Sequence, residues 1–194
     1  MILGYKKSID GAAPYWFGKQ NGEDLKFVRV VAGVALPLQD RMSGAIIVLG
    51  EIYRSVMPMT LVGLAAEVGR WITVENAIAR FRKDLKFQDV VVDNEHSRNY
   101  LLKMKGIEYG QDEYPIMPHI MEPFSESEVG HRYVDQLVKE RRLDLGSLKS
   151  TLDKEPDQGI LALSMVCSHM RDWPARYTSL RVPQRGAILG VEGL

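Results

Sequence analysis

The residues of this chain best suited to chemistry are carboxylates, and one of them follows an apolar run directly. Asp93 comes immediately after Val90–Val92 in the segment FQDVVVDNEH, with Glu95 two residues further on. A carboxylate at the carboxyl end of a buried strand lies where open α/β sheets hold their ligands. Such oxygen donors suit Mg²⁺ or Mn²⁺, and two ions together could hold the attacking and leaving oxygens of a phosphodiester. A structural role stays open as well, because Asp93 or Asn94 could simply cap the helix that follows.

Other catalytic motifs are missing from the sequence. It has neither a G-x-x-x-x-G-K-[ST] loop nor a G-x-G-x-x-G loop, which disfavours a nucleotide-driven motor and a Rossmann enzyme. The H-E-x-x-H motif of zinc proteases and the G-x-S-x-G motif of hydrolases are missing too. Cys167, the single cysteine, lies in an apolar run and is expected to be a buried, inert thiol. The four histidines are expected to be surface or cap residues rather than ligands: His96, His119, His131 and His169.

Length and charge restrict the function further. The 194 residues suit one domain. The 25 Lys and Arg residues balance the 25 Asp and Glu residues, so DNA binding would have to come from a local patch rather than an overall positive field. No apolar run approaches the roughly 20 residues of a membrane span, and no signal peptide is recognisable. We therefore expect a soluble, cytoplasmic protein.

The first half of the chain predicts strands followed by alternating helix and strand. Two β-type runs, Leu25–Leu36 and Gly44–Arg54, are separated by a polar connection typical of a hairpin. The run Thr60–Trp71 predicts a third strand, although a helix fits it almost as well. The period then changes to 3.6, which predicts an amphipathic helix over 74–86 with Thr73 as its N-cap. A short buried strand over 87–93 and a helix to Lys105 follow, and this succession predicts a parallel pairing with a crossover.

The second half predicts mainly helices within a single domain. The order βββ-α-β-α-(β)-α-α, which begins with a three-strand meander, is that of the ribonuclease H-like fold, an α/β class with a mixed central sheet flanked by helices. The predicted division is an N-terminal arm (1–24), a ribonuclease H-like domain (25–175) and an irregular tail (176–194). The later predicted elements are an edge strand at Pro115–Glu122, a helix from a capping box at Ser125 to about Arg142, a polar linker at Gly146–Pro156 and a buried helix at Asp157–Arg171.

Four segments carry a resemblance to a known family: VRVVAGVALPLQDRMSGAIIVLGEIYR, FRKDLKFQDVVVDNEHSRNYLLKMKG, VDQLVKERRLDLGS and PDQGILALSMVCSHMRD. Over roughly residues 25–175 the sequence resembles the C-terminal nuclease domain of phage large terminase subunits. The resemblance implies an endonuclease that cuts concatemeric viral double-stranded DNA during packaging, with two Mg²⁺ or Mn²⁺ ions. It also implies a packaging ATPase domain, a portal and a small terminase as partners, no membrane, the host cytoplasm and a monomeric isolated domain.

Family members carry three acids, and this chain departs from that pattern. Ala35 stands where the first acid would be, within Val31–Pro37. The second acid maps onto Asp93, with Glu95 as a spare ligand. Asp157 fits the first acid of the third motif and Leu161 takes the place of the next, although Asp157 could equally be an N-cap. The resemblance thus implies Asp93, Asp157 and Glu95 as metal ligands, and a chain that is inactive as written because position 35 lacks its acid.

Two basic clusters are candidate DNA contacts, although the first is more simply explained as a solvated helix face with cations near the carboxyl end of the helix dipole. Two further functions stay open beside the packaging nuclease. One is a non-catalytic ribonuclease H-like module that docks DNA or protein, and the other is a junction-resolvase-like nuclease. The candidate DNA-binding residues are Arg80, Arg82, Lys83 and Lys86 in the first cluster, and Lys139, Arg141 and Arg142 in the second.

Overall fold

A mixed sheet with helices on both faces forms the body of the protein. The computed structural model describes residues 4–6, 15–20, 23–36, 43–52, 60–87, 89–103, 117–120, 127–154 and 156–180. The strands are β1 (Gly4–Lys6), β2 (Tyr15–Gln20), β3 (Glu23–Ala35), β4 (Ser43–Ile52), β5 (Leu61–Arg70), β6 (Asp89–Val92), β7 (Met117–Ile120) and β8 (Leu143–Asp144). The helices are α1 (Trp71–Leu85), α2 (Glu95–Lys103), α3 (Ser127–Lys139), α4 (Lys149–Leu152) and α5 (Pro156–Leu180), with a 3-10 turn at Gly146–Leu148.

The central five strands run in the order β5-β4-β3-β6-β7. Strands β3, β4 and β5 form an antiparallel meander, and β6 and β7 lie parallel to β3 on its other side. Helix α1 carries the chain from the end of β5 back across the sheet to the start of β6. This strand order and direction is the ribonuclease H-like arrangement, so the predicted fold class is confirmed.

Each face of the sheet is buried under helices. Alternate residues of β3 contribute to opposite sides, because successive strand side chains point to opposite faces. Val30, Ala32 and Val34 belong to the core beneath α1 and α2, whereas Val31 and Ala35 belong to the core beneath α5. Burial on both faces explains why β3, β4 and β6 read as nearly continuous apolar runs.

Helix α5 lies antiparallel to β3, and two contacts fix its position. A Cβ built on Gly33 would clash with the carbonyl oxygen of Ala162, so glycine allows helix and strand to approach closely. Further along, Arg29 Nη2 donates a hydrogen bond of 3.0 Å to the carbonyl of Met170. The amino end of α5 therefore lies at the carboxyl end of β3.

Several sequence predictions are corrected by the structure. The N-terminal segment is not entirely a loose arm, since β2 pairs with the start of β3 and Trp16 is buried. Helix α1 begins at Trp71 instead of after Thr73, because β5 leads into it without a loop. The polar linker contains α4, and α5 continues to Leu180, so the first part of the predicted tail is helical.

Other predictions are confirmed or lie outside the described residues. The strands predicted within Leu25–Leu36, Gly44–Arg54 and Thr60–Trp71 all form, as does the edge strand within Pro115–Glu122. The predicted end of the second helix at Lys105 and the capping box at Ser125 fall outside the described part of the chain. Among the described helices, none is long and apolar enough to cross a membrane.

Candidate functional site

Positions 35 and 93 meet at the carboxyl edge of the sheet. Strands β3 and β6 are parallel neighbours, and their register pairs Gly33 with Val91 and Val34 with Val92. Ala35 and Asp93 are the next residues of each strand path, and neighbouring strands lie about 4.8 Å apart. Ala35 is fully buried and Asp93 is half-buried. The positions predicted for the first and second acids are therefore adjacent. Position 35, however, is an alanine, which has a methyl group in place of a carboxylate.

The amino end of α5 brings a third position to the same level. Ala162 lies against Gly33, and Gln158 comes four residues earlier, which is about 6 Å along a helix. Ala35 comes two residues after Gly33, which is about 6.6 Å along a strand. Because helix and strand run antiparallel, Gln158 lies level with Ala35. We call Ala35, Asp93 and Gln158 the Asp93 edge.

Asp157, the predicted third acid, is less well placed than its neighbour. Asp157 is exposed in the first turn of α5, whereas Gln158 is half-buried on the turn that leads to Ala162. The Oε1 atom of Gln158 is buried and has no hydrogen-bond partner among the described residues. Leu161, which occupies the place of another family acid, packs against the core beneath α5. The spacing of residues 158, 162 and 166 is the signal that could have identified Gln158 from the sequence.

The surroundings of Asp93 show what holds its carboxylate. Its Oδ1 accepts a hydrogen bond of 2.6 Å from the hydroxyl of Ser97, in the first turn of α2. Asn94, not Asp93, caps that helix, since Asn94 Oδ1 accepts a 2.8 Å hydrogen bond from the Ser97 backbone amide. Glu95, the predicted spare ligand, is exposed and pairs with Arg98 at 3.2 Å. Asp93 thus has its own supporting contact and is free of the capping role.

The donor set at the Asp93 edge does not fit two divalent ions. Two ions held about 3.5–4 Å apart bring four positive charges, and oxygen donors with negative charge are needed to balance them. Of the three positions at the Asp93 edge, only Asp93 is an acid, and one of its oxygens already accepts a hydrogen bond. Asp157 and Glu95 are exposed carboxylates at its periphery. The expectation of two bound ions is therefore not supported by the residues present.

The two predicted DNA-binding clusters do not lie beside the Asp93 edge. Arg82 is only 6% exposed, so it belongs to the inner face of α1 and not to a basic surface. Helix α1 runs from the carboxyl end of β5 to the start of β6, which places Lys83 and Lys86 toward the opposite end of the sheet. Arg80, nearer the middle of α1, is exposed and lies 3.5 Å from Glu67. The first cluster is thus split between surface and interior.

The second cluster is at the opposite end of the sheet as well. The backbone amide of Leu61, at the start of β5, donates a 2.7 Å hydrogen bond to the carbonyl of Arg142. Arg142 also pairs with Glu140 at 3.0 Å. Hydrogen bonds from Gln136 and then from Arg142 lower the pKa of Glu140, so this carboxylate stays ionised and offsets part of the positive charge. Lys139 and Arg141 are the exposed cations of this cluster.

A second group of side chains that can bind metals lies on the face of the sheet that α5 covers, which we call the α5 face. The sequence did not predict this group. Asp89 of β6, His119 of β7 and His169 of α5 each offer a ligand atom, and these atoms lie within 4.8 Å of one another. The expectation that both histidines are surface or cap residues is wrong for His169, which is 6% exposed. We call these three residues the His–Asp cluster. No spacing in the sequence signals it, because the three residues come from elements far apart in the chain.

Cys167 matches its prediction. The thiol is fully buried on α5, and burial raises its pKa to about 12. A thiolate is the reactive form of cysteine, and almost none forms at neutral pH when the pKa is this high. Cys167 is therefore a core residue and not a nucleophile.

Comparison with known proteins yields one structural neighbour and no sequence relative. No protein-family model matches the sequence, and no curated protein matches it. Among solved structures, the fowlpox virus Holliday junction resolvase is similar, with a TM-score of 0.47 and 14% identity over 74% of this chain and 98% of the resolvase chain. A likeness of this size carries no inference about function. The strand order identifies the fold by itself, and the terminase resemblance remains a prediction from the sequence.

Proposed function

We propose that this chain is a nuclease-type ribonuclease H-like domain whose working surface is the Asp93 edge, and that it does not hydrolyse DNA in its present form. One observation supports the proposal: the pairing of β3 with β6 ends just before Ala35 and Asp93, the amino end of α5 lies at the same end of the sheet, and only Asp93 is an acid among positions 35, 93 and 158. The carboxyl edge of the sheet is where this class of fold binds ligands. The Asp93 edge thus has the location expected of a phosphodiester-cleaving site, but two of its three positions lack a negative charge.

The missing charge accounts for the expected inactivity. Preorganised charge at the reacting phosphate is usually the largest contribution to catalysis, and removal of one such group costs on the order of 10²–10³ in rate. Ala35 and Gln158 leave two positions without charge. The remaining acid, Asp93, accepts a hydrogen bond from Ser97 and supplies a single negative charge.

The proposal also names the DNA partner, the protein partners and the location of the chain. The sequence resemblance to phage terminase nuclease domains supports double-stranded viral DNA as the partner, and a packaging ATPase domain, portal and small terminase as further partners. In that setting the chain acts in the host cytoplasm. Binding of the isolated domain to DNA should be weak and strongly salt-dependent, since the chain has no net charge and its two predicted basic clusters do not lie beside the Asp93 edge.

The test restores the missing acids and measures cleavage. Supercoiled plasmid is incubated in Mn²⁺ with the unmodified chain and with the double variant Ala35→Asp/Gln158→Glu. We expect no nicking by the unmodified chain and metal-dependent nicking by the double variant. Gln158→Glu changes no volume, whereas Ala35→Asp places a carboxylate at a buried position. The matched control is therefore Ala35→Asn/Gln158→Glu, which has the same volume at position 35 without its charge.

Two results would overturn the proposal. One is nicking by the unmodified chain that disappears in Asp93→Asn, because it would mean that one acid is sufficient. The other is a double variant that unfolds cooperatively like its Asn control yet cleaves neither linear nor branched DNA. Inclusion of a four-way junction also separates a packaging-type nuclease, which is indifferent to branching, from a resolvase-like one.

A second candidate function, a non-catalytic docking module, has an observation of its own in favour. Ala35 lies in the core beneath α5 and Leu161 packs against it, so the apolar residues at two positions where the family resemblance implies acids contribute to stability. Under this function the acids were replaced by residues that complete the core. The double variant would then be less stable than the unmodified chain, would not cleave, and would gain no stability from Mn²⁺.

A further inference from the structure

We propose that the His–Asp cluster is a binding site for one transition-metal ion, with Zn²⁺ as its preferred occupant. The site is separate from the Asp93 edge: Asp89 and Asp93 are four residues apart on one strand path, which is about 13 Å. The inference does not depend on the proposed function, since none of its ligands belongs to the Asp93 edge.

The three donors come from three elements that the fold brings together. Asp89 begins β6, and His119 lies on β7 in register with Val91. Both point to the α5 face, because Asp89 and Val91 alternate with Val90, which belongs to the opposite core. His169 reaches the same place from α5. Two imidazoles and a carboxylate therefore meet at a fixed point under a packed helix.

The separation of Asp89 and His119 fits shared coordination better than a direct ion pair. Their nearest atoms, Oδ1 and Nε2, are 3.3 Å apart. A charge-assisted hydrogen bond between such groups is typically about 2.7–2.9 Å. Two ligands that each bind Zn²⁺ at about 2.0–2.2 Å in a tetrahedron are separated by roughly 3.3–3.5 Å. The two side chains thus already have the spacing of a metal site.

The second histidine completes the donor set. The rings of His119 and His169 have centroids 4.7 Å apart and an angle of 35° between their planes. Two nitrogens and one oxygen suit Zn²⁺ and other late divalent metals, whereas Mg²⁺ prefers oxygen donors alone.

Exposure differs among the three ligands in a way that suits a bound ion. The side chain of Asp89 is 15% exposed and that of His119 is 26% exposed, whereas His169 lies in the interior. Solvent can therefore reach the β7 side of the site, which gives the ion an entry path and leaves room for a water as fourth ligand. A bound ion would connect β7 and α5 to β6.

The experiment measures metal binding by the full chain after treatment with a chelator. Zn²⁺ is titrated by calorimetry, and Co²⁺ is added in parallel because tetrahedral nitrogen and oxygen ligation produces visible absorption. We expect one ion per chain. His119→Gln and Asp89→Asn should each weaken Zn²⁺ binding by on the order of 100-fold or more, since changes even outside the ligand set cost 10–100-fold.

A matched control uses a histidine outside the cluster. His96 is exposed on α2, and His96→Gln should leave Zn²⁺ affinity and the Co²⁺ spectrum unchanged. His119→Gln is preferred to a change at buried His169, because the partly exposed site tolerates substitution. Its circular dichroism and melting without metal should match those of the unmodified chain.

The outcomes separate a metal site from a plain His–Asp ion pair. An ion pair alone predicts no stoichiometric Zn²⁺ binding and no Co²⁺ absorption, and either result overturns the proposal. So does Zn²⁺ binding that His96→Gln weakens as much as His119→Gln. Asp93→Asn must leave Zn²⁺ binding intact, so failure of the proposed DNA function and failure of this site are seen in different variants.

Discussion

The two ends of the α5 face differ in what they can hold. At the amino end of the helix, the Asp93 edge has the position expected of a catalytic site but a single acid. The His–Asp cluster begins at Asp89, about 13 Å from Asp93 along the same strand path. It has three side chains that can bind a metal, although it does not lie at the carboxyl end of the sheet, where ligands of such folds are expected. The comparison shows that topology indicates where a site can form, whereas side-chain chemistry decides whether one does.

The largest expected change in the free energy of unfolding comes from the charged contacts toward the carboxyl end of α5. Arg29 and Glu51 form an ion pair at 2.9 Å, with side chains 11% and 16% exposed. Glu51→Ala should destabilise the protein by about 3–5 kcal/mol, because it leaves a buried guanidinium without its counter-charge. Urea unfolding gives the change. In the more exposed pair Arg80–Glu67, the substitution Glu67→Ala should cost at most about 1 kcal/mol, and equal costs would contradict the assigned difference in burial.

A second prediction tests the close contact between β3 and α5 at Gly33, which lies between the Asp93 edge and the His–Asp cluster. Gly33→Ala would place a Cβ against the backbone of Ala162, where neither partner can rotate away. Overpacking of this kind costs about 1–3 kcal/mol, and it should raise the unfolding rate by separating α5 from the sheet. Thermal melting and stopped-flow unfolding measure it. An unchanged melting temperature would show that α5 lies further from β3 than described.

A third prediction uses Cys167 as a probe of α5 burial. Burial raises its pKa from 9.0 to about 12. Above pH 9 the unfolded state loses this proton and the folded state keeps it, so the stability of the unmodified chain should fall as pH rises from 9 toward 12, by at most about 1.4 kcal/mol per pH unit.

Cys167→Ala removes this contribution and serves as the control. The difference in unfolding free energy between the unmodified chain and Cys167→Ala should be constant below pH 9 and should change only between pH 9 and about 12. A difference that is flat throughout would mean that the thiol ionises in the folded state, as an exposed one does.

The smallest effect sharpens the assignment at the Asp93 edge. Asn94→Ala removes the helix cap and should cost about 1 kcal/mol. Asp93→Asn keeps an oxygen that can accept from Ser97, so it should cost less. Urea unfolding of the two variants gives the comparison. If Asp93→Asn costs as much as Asn94→Ala, Asp93 is a structural residue and its candidacy as a functional acid fails.

The sheet was predictable from the sequence because its strands are long, apolar and in a simple order. The meander over β3, β4 and β5 and the parallel return to β6 follow from period and spacing alone. The predicted start of α1 is three residues too late, because no loop separates the helix from β5 and a prediction that relies on a cap residue has no signal there. The strand β2 was missed because its segment has turn residues and no sustained alternation.

The sites were less predictable, for two physical reasons. Arg82 was assigned to a basic surface by residue type, although it lies four residues after Ile78 and three before Leu85 and thus on the apolar stripe. The His–Asp cluster combines Asp89, His119 and His169, which only the tertiary fold brings together. The position of Asp93 directly after a strand was predictable, because the apolar run before it is visible in the sequence.

The central claim is that the Asp93 edge lacks the charge to hold divalent ions, and one titration tests it directly. Mn²⁺ is titrated by calorimetry into the unmodified chain and into Asp93→Asn, both with Zn²⁺ present so that the His–Asp cluster does not contribute. The account predicts identical curves, with no Mn²⁺ bound that depends on Asp93. Two Mn²⁺ ions bound by the unmodified chain and lost in Asp93→Asn would contradict it.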